Sequence, residues 1–327
     1  MKRLVVLVVA LSVVLLGCSG SSSEDRAEGD GAPPATSGDD EIFEPVTIEH
    51  RYGETEITER PERIVTLDLQ WTDVLLALDA PPVGYLVDPT SGEEMPWQED
   101  LLADSTRITA TTSVPAEQIV DLQPDLIVVT YLAEDQDAYD DLARIAPTIS
   151  TLSDSQVDTW QDIAGVAGQL LGEEDSAADL VADVEGQVSG VATDLPGLEG
   201  RTFTFANYVP GDALYVLSDP DDGANVLFGQ LGLVIAPDIL AAEDDSPGRV
   251  KLSLERTDLL EADLVMVLTN GAKTGEIPGY DDLDAVRRDA AVVMDYVMAV
   301  ALNTPTPLSL PYALDLLRPA LEVAAAP

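Results

Sequence analysis

One short pattern occurs twice in this chain and constrains its fold more than any other feature. A Glu stands eight residues before an Asp that leads into an apolar run, at Glu117 with Asp125 and again at Glu255 with Asp263. Each Glu lies near the start of an expected helix, and each apolar run is typical of a strand buried on both faces of a parallel sheet. Two copies of this helix–strand unit predict two similar lobes.

The rest of the body alternates between strand-like and helix-like segments. Short apolar runs rich in β-branched residues predict strands at 63–67, 83–87, 125–130, 201–206, 213–217, 263–268 and 291–296. Apolar residues at helical spacing predict helices at 71–78, 115–122, 139–145, 226–231, 252–260 and 308–323. Such alternation indicates parallel sheets flanked by helices, which is an α/β fold.

The two halves are separated by helical stretches at 160–171 and 173–193, with Gly172 between them. The second stretch, in spite of Gly186 and Gly190, is long enough to span ~30 Å as one helix. We therefore expect two α/β lobes with parallel sheets, joined by a single long helix, with a ligand cleft between the lobes. The expected divisions are a signal peptide at 1–17, a lipidated Cys and flexible tether at 18–44, a lobe at 45–172, the connecting helix at 173–194 and a second lobe at 195–327.

The N-terminus has the features of an export signal. Lys2 and Arg3 precede an apolar run at 4–16, which is shorter than the ~20 residues that a membrane-spanning helix needs. The run leads to Gly17 and Cys18, which resemble a bacterial lipobox whose Cys is lipidated after cleavage. The alternative is an ordinary signal peptide with a Cys near its cleavage site. The polar segment 19–44 buries too little apolar surface to fold and predicts a tether.

Charge and rare residues exclude several classes of function. The chain has 61 acidic and 16 basic residues, a formal net charge of −45, one Cys and one His. This charge disfavours binding to nucleic acid or to anionic lipid. A single Cys excludes an intramolecular disulfide, and a single His excludes a multi-His zinc site. His50 precedes the first predicted strand of the N-terminal lobe, and we expect it on the surface rather than as a metal ligand. A secreted hydrolase is disfavoured because the chain also lacks a Gly-x-Ser-x-Gly motif.

The order and spacing of these segments resemble a known family. Residues 63–78, 117–129, 142–147, 173–188 and 252–267 together are similar to the iron-siderophore and vitamin B12 class of substrate-binding proteins of ABC importers, and the resemblance covers roughly Pro45 to Val323. It implies two lobes on one long helix, a ligand in the cleft, no catalytic residues and no cofactor. It also implies delivery of the ligand to a membrane permease.

Ligand-binding residues are expected in the loops that follow the strands, because ligands lie beyond the carboxyl ends of parallel strands. Arg249 is the first candidate, since a guanidinium offers five donors to an anionic or carbonyl-rich ferric siderophore. Alternatively, Arg249 forms only a surface ion pair with Asp244 or Asp245. The alternative role for Trp71, another candidate, is packing in the core. No residue is expected to ligate the metal directly. The remaining candidates are Tyr131, Asn270, Lys273, Trp71, Tyr208 and Asn303.

The repeated Glu residues have a second implied role. In similar importers, a Glu on each lobe pairs with arginines of the permease dimer, and Glu117 and Glu255 match that position. The alternative is that each carboxylate only stabilises a helix N-terminus, worth ~0.3–1 kcal/mol. Thr111 stands where some relatives carry an Arg or Trp in the pocket, so a strongly basic pocket is not evident.

These observations lead to one functional hypothesis and two rivals. We expect a lipoprotein anchored through Cys18 at the outer face of the cell membrane, which captures a ferric siderophore and delivers it to an ABC permease dimer. One rival is a vitamin B12 or haem binding protein of the same class. The other is a surface protein that uses the same fold without transport.

Overall fold

The apolar strands of the sequence assemble into two main sheets, one in each half of the chain. The computed structural model describes residues 43–110, 114–153, 158–242 and 248–327, and Phe43–Pro327 form one unit. The predicted signal peptide, Cys18 and nearly all of the tether lie outside the described residues, as do Thr111, Asp244 and Asp245. Within the described part, no helix combines the length and hydropathy that crossing a membrane requires.

The N-terminal lobe contains a parallel sheet in the order β5-β4-β3-β6-β7 and a separate antiparallel hairpin of β1 and β2. Helices cover the sheet because its strands are apolar on both faces. The elements of this lobe are β1 (Val46–His50), β2 (Gly53–Ile57), β3 (Ile64–Thr66), α1 (Leu69–Ala77), β4 (Gly84–Leu86), β5 (Thr106–Ile108), α2 (Ala116–Asp121), β6 (Leu126–Val128), α3 (Gln136–Ala143), β7 (Thr148–Ile149) and α4 (Trp160–Leu171).

The long helix α5 (Glu174–Asp194) connects the two lobes and belongs to both hydrophobic cores. Gly172 ends α4 with a φ of 66°, a left-handed conformation that favours glycine. Near the start of α5, Ala177 packs in the core of the N-terminal lobe. Toward its end the helix contributes to the core of the C-terminal lobe through Val184, Val188 and Val191. The helix therefore joins the lobes by packing as well as by connectivity.

The C-terminal lobe contains a mixed sheet in the order β11-β9-β8-β12-β13, with β10 paired to the first half of β8. The strands β10, β8, β12 and β13 are parallel, whereas β9 runs antiparallel to both β8 and β11. The elements are β8 (Thr202–Val209), β9 (Ala213–Leu217), α6 (Gly223–Gln230), β10 (Val234–Ile235), α7 (Pro237–Ala241), β11 (Arg249–Leu252), β12 (Leu264–Leu268), α8 (Asp284–Arg287), β13 (Ala291–Met294), α9 (Tyr296–Asn303) and α10 (Ser309–Ala324).

The repeated Asp residues perform the same task in the two lobes. Asp125, just before β6, accepts hydrogen bonds from the backbone N–H groups of Glu62 and Arg63, both at 2.9 Å. Asp263, just before β12, accepts one from the N–H of Thr202 at 2.9 Å. Each carboxylate thereby holds the start of the neighbouring parallel strand, β3 or β8. The expected fold of two lobes with parallel sheets and a long helix is confirmed, while the exact domain boundaries stay predictions.

Three expectations about local structure were wrong. Residues 249–252 form the strand β11 rather than leading into a helix at 252, because Val250 and Leu252 are buried on one face while Arg249 and Lys251 are exposed. A 3₁₀ helix then occupies Leu254–Leu260. The last predicted strand ends early, and α9 follows it with Asp295 as its N-cap. His50 is buried rather than on the surface, with its Nε2 2.9 Å from Thr55 Oγ1.

Candidate functional site

Three adjoining cavities lie along the cleft where the two lobes meet. The N-lobe cavity, of about 250 Å³, is lined by residues at the carboxyl ends of β3, β4 and β6 and, from the other lobe, by Tyr296 and Val300 of α9. The middle cavity, of about 270 Å³, shares Gln70 with it. The C-lobe cavity, of about 210 Å³, lies beside β8, β9 and β11 and shares Asn303 with the middle cavity. Both lobes therefore contribute to one cleft at their strand ends.

Asp68 is the most deeply placed acidic group of the N-lobe cavity. It caps α1, where its Oδ1 accepts a hydrogen bond from the N–H of Trp71 at 2.8 Å. Its Oδ2 is buried. Burial raises the pKa of Asp68 to about 6 although a hydrogen bond from the Thr130 side chain opposes the shift, and the negative charge of Asp158 adds to it. Asp68 follows a predicted strand but was not among the residues selected from the sequence.

Tyr131 lines the same cavity and follows β6, as the sequence predicts. Its side chain is half exposed, so a ring face is available to a ligand in the cleft. Partial burial raises the pKa of its hydroxyl, and the charges of Asp68 and Asp158 act in the same direction. The ring is therefore a neutral surface next to an acidic group.

Arg249 lines the C-lobe cavity, where it forms an ion pair. Its Nη2 lies 3.8 Å from Oδ2 of Asp222, and half of its side chain is exposed. Asp222 caps α6, and burial raises its pKa although Arg249 opposes the shift. The position of Arg249 in the cleft agrees with its selection from the sequence. Its partner, however, is a carboxylate that also lines the cleft.

Asn303 borders the middle and C-lobe cavities at the end of α9. Its Oδ1 is buried and has no hydrogen-bond partner among the described residues. The start of α6 packs closely against this segment, because a Cβ on Gly223 would lie 3.0 Å from the Asn303 carbonyl oxygen and 2.8 Å from Cδ of Pro305. Glycine at 223 thus allows the wall of the middle cavity to close.

Hydrogen bonds fasten the N-terminal lobe to the segment 296–306 of the C-terminal lobe. The hydroxyl of Tyr296 donates to Oδ2 of Asp88 at 2.9 Å, and Nε2 of Gln70 donates to the carbonyl of Pro305 at 3.2 Å. A third bond joins Oγ1 of Thr306 to Oδ2 of Asp73 at 2.6 Å. Because all three lie beside the cleft, they help to fix its width.

Asp73 is the centre of the third contact and was not selected from the sequence. It is fully buried and also accepts hydrogen bonds from Nε1 of Trp97, at 2.8 Å, and from Nε2 of Gln98. Burial raises its pKa to about 7 even though these donors favour the charged form. The available signal was an Asp in a predominantly apolar helix, at a position that faces the core.

Two predicted ligand residues lie in the cores rather than in the cleft. Trp71 is fully buried in the N-terminal lobe. Tyr208 is buried in the C-terminal lobe, and its hydroxyl donates to the carbonyl of Glu276 at 3.3 Å. Neither side chain lines the three cavities formed by the described residues. We therefore do not include them in the proposed site.

Two other ligand residues predicted from the sequence, Asn270 and Lys273, lie at the surface of the C-terminal lobe, outside the three cavities. Asn270 is exposed, and its Nδ2 donates to Oδ1 of Asn207 at 2.6 Å. Asn207 itself lines the C-lobe cavity, so Asn270 is one contact away from the cleft. Lys273 is exposed just before the 3₁₀ helix Thr274–Glu276 and lines none of the cavities described above.

Glu117 and Glu255 occupy corresponding places in the two lobes. Glu117 is exposed in the first turn of α2, which precedes β6. Glu255 is exposed in the first turn of the 3₁₀ helix that precedes β12. Glu255 also borders a surface groove of about 490 Å³ lined by three further carboxylates, those of Asp258, Glu261 and Asp282. Both positions are accessible to a partner.

Comparisons with known proteins agree with this architecture. The chain is 27% identical over 235 residues to the probable siderophore-binding lipoprotein YfiY of Bacillus subtilis, covering 71% of this chain and 67% of that one. It is 26% identical over 276 residues to the Fe(3+)-citrate-binding protein YfmC of the same organism, covering 82% and 81%. The crystal structure of Staphylococcus aureus SirA complexed with staphyloferrin B superposes with a TM-score of 0.65 at 26% identity, covering 85% of this chain and 98% of that one.

A family model extends the comparison over more than half of the chain. The model described as periplasmic binding protein matches residues 64–288, which run from β3 through both lobes to the end of α8. The matched region includes both Asp-led strands and the connecting helix. This chain belongs to the periplasmic binding protein family.

Proposed function

We propose that this protein captures a ferric siderophore outside the cell membrane and delivers it to an ABC permease, without catalysing a reaction. The observation that carries the proposal is the cleft, in which the carboxyl strand ends of two lobes face one another across three adjoining cavities. The names of the relatives YfiY and YfmC, and the staphyloferrin B bound to SirA, support an iron complex as the ligand.

The ligand contacts that we propose come from both lobes. Tyr131 supplies an aromatic face from the N-terminal lobe, while Asn303 and Arg249 supply polar groups from the C-terminal lobe. A ligand held from both sides is retained only while both contact surfaces are in place. The hydrogen bonds between the lobes preorganise this arrangement and reduce the cost of ordering it on binding.

A titration of the purified protein tests the proposal against its rivals of the same class. Ferric siderophores, their metal-free forms, vitamin B12 and haemin are each added while tryptophan fluorescence is followed, since Trp160 lines the middle cavity. We expect saturable binding of at least one ferric complex and weaker binding of its metal-free form. Saturation by vitamin B12 or haemin, with no response to any ferric complex, would contradict the proposal.

Membrane attachment through Cys18 is a further part of the proposal. Cys18 follows a short apolar export signal, and YfiY is named a lipoprotein. We expect Cys18→Ala to abolish incorporation of radioactive palmitate and to release the protein from the membrane fraction. Lipid labelling of the variant at the level of the natural chain would exclude Cys18 as the attachment site.

Docking on the permease dimer is assigned to Glu117 and Glu255. Their exposure and their corresponding places in the two lobes support a paired contact, which would orient the protein and accelerate association. We expect the double variant Glu117→Ala/Glu255→Ala to bind the ferric complex normally but to support about tenfold slower iron uptake. The matched control is Asp121→Ala/Asp258→Ala, which removes exposed carboxylates from the same two helices. Equal uptake by both double variants would exclude docking through the Glu residues.

A further inference from the structure

The cleft is lined by carboxylates with little compensating positive charge. Among the described residues that line the N-lobe and middle cavities, none is Lys or Arg. The gaps at 111–113, 154–157 and 243–247 contain no Lys or Arg in the sequence, so they add no cation. The acidic residues of the N-lobe cavity are Asp68, Asp88, Glu93 and Glu94, and those of the middle cavity are Asp158, Glu185, Asp221 and Asp222.

The nearby cations are already paired with carboxylates. Arg249 of the C-lobe cavity lies 3.8 Å from Asp222, and Arg107, which is outside the cavity lining, lies 3.0 Å from Glu94. An anionic ligand would have to compete with Asp222 for Arg249 and approach the remaining carboxylates. Like charges in a partly buried cleft repel more strongly than they do in bulk water.

Asp68 is a deeply buried carboxylate in the wall of the N-lobe cavity. Only 7% of the residue is exposed, and its Oδ1 accepts a hydrogen bond from the N–H of Trp71. The Thr130 side chain also hydrogen-bonds this carboxylate and opposes the effect of burial on its pKa. Because water screens a buried group little, the charge of Asp68 acts on a ligand in this cavity more strongly than an exposed carboxylate would.

The carboxylates do not form a site for a bare metal ion. Within the described part of the chain, no group of three or more His, Cys, Asp or Glu side chains is arranged to hold one. The negative charge is spread along the walls of adjoining cavities, where it acts on a bulky ligand. The walls therefore act on the charge of the whole ferric complex.

We propose that the cleft selects ferric siderophore complexes that carry no net negative charge. This inference rests on the proposed function, because it specifies the class of ferric complex bound at the same site. It distinguishes the chain from relatives such as YfmC, whose name gives ferric citrate as the ligand.

The test compares four ferric complexes of different charge on the full-length lipidated chain in detergent. Ferrioxamine B carries a free ammonium group, ferrichrome is neutral, and ferric citrate and ferric enterobactin are anionic. We expect the first two to bind at least about tenfold more tightly than the anionic pair at low salt. Added salt should weaken the binding of ferrioxamine B and narrow the difference in affinity between it and the anionic complexes. Equal or tighter binding of the anionic complexes would overturn the inference but leave the proposed function standing, whereas no binding of any ferric complex would contradict both.

A matched pair of variants tests the role of Asp68. Asp68→Asn keeps a helix-capping side chain but removes one negative charge from the cavity wall, while Asp135→Asn makes the same change at the exposed N-cap of α3, outside the three cavities. We expect Asp68→Asn to weaken the binding of ferrioxamine B about tenfold and to reduce the discrimination against ferric citrate. We expect Asp135→Asn to leave both affinities unchanged. Unchanged affinities in a folded Asp68→Asn protein would overturn the assignment to Asp68. If that variant does not fold, the salt dependence of ferrioxamine B binding to the natural chain tests the role of the negative charge in the cleft.

Discussion

The two lobes of this protein share a framework but differ in what they present to the cleft. Asp125 and Asp263 hold the first residues of equivalent strands, so the sheets begin in the same way. In the cleft, the N-terminal lobe presents the buried carboxylate of Asp68, whereas the C-terminal lobe presents Arg249 paired with Asp222. The repeated strands therefore fix the position of the cleft, while residues outside the repeat set its charge.

The largest effect is expected where the two lobes are fastened together. Asp73→Ala leaves buried donors of Trp97, Gln98 and Thr306 without their acceptor, which should lower the free energy of unfolding by about 3 kcal/mol. Urea denaturation measures this loss, and hydrogen exchange should show faster exchange in residues 296–306.

The control for this change is Asp121→Ala at the exposed end of α2, which should stay within about 0.5 kcal/mol of the natural chain. An Asp73→Ala protein as stable as this control would show that the contact between the lobes contributes little.

Replacing either of the two equivalent Asp residues should lower the free energy of unfolding less than Asp73→Ala does, and by different amounts for Asp263 and Asp125. Asp263 is partly buried and accepts hydrogen bonds from the N–H and Oγ1 of Thr202 and, at 3.0 Å, from Nη1 of Arg201. Although burial acts to raise the pKa of Asp263, these donors lower it overall. Asp125 is exposed and accepts two backbone bonds. We expect losses of about 2 kcal/mol for Asp263→Ala and about 1 kcal/mol for Asp125→Ala in urea denaturation. The reverse order would refute this account of the repeat.

A further effect concerns the pH dependence of the N-terminal lobe. Burial raises the pKa values of Asp68 and Asp73 to about 6 and about 7, so the folded state binds more protons than the unfolded state above the usual carboxyl pKa. Stability therefore falls as the pH rises from about 5 to about 7, with a slope of at most about 1.4 kcal/mol per pH unit for each group. His50 acts in the opposite sense, because burial lowers its pKa.

Asp73→Asn isolates this contribution because it removes one titrating group and leaves His50 and Asp68 in place. Thermal or urea unfolding between pH 5 and 7.5 should show a shallower fall of stability in the variant than in the natural chain. An identical pH dependence of the two proteins would refute the assignment to Asp73.

Local patterns in the sequence predicted most of the framework but less of the site. The apolar runs located seven of the thirteen described strands, namely β3, β4, β6, β8, β9, β12 and β13, but not the short or edge strands β1, β2, β5, β7, β10 and β11. The apolar positions of α5 identified the connecting helix despite Gly186 and Gly190. Residues 249–252 were misread because a short alternating run is ambiguous until its pairing with β9 is known. Trp71 and Tyr208 follow or end strands, yet they point into cores, which depends on the packing of distant segments.

The selection of cleft residues shows the same limit. Tyr131 and Asn303 were located by the rule that ligands lie beyond strand ends, whereas Arg249 was selected for its guanidinium and its place before Glu255. Asp68 satisfies the strand-end rule equally well, but its burial in the cavity wall is visible only in three dimensions. The contact of Asp73 with Thr306 joins residues more than 200 positions apart and leaves no local signal.

The central claim is that an iron complex binds in the cleft between the two lobes. A crystal of the protein grown with ferrioxamine B or ferrichrome, and measured at the iron absorption edge, locates the metal directly. We expect one strong anomalous peak between the N-lobe and C-lobe cavities, with ligand density in contact with Tyr131. A peak on the outer surface of either lobe, with an empty cleft, would contradict the central claim.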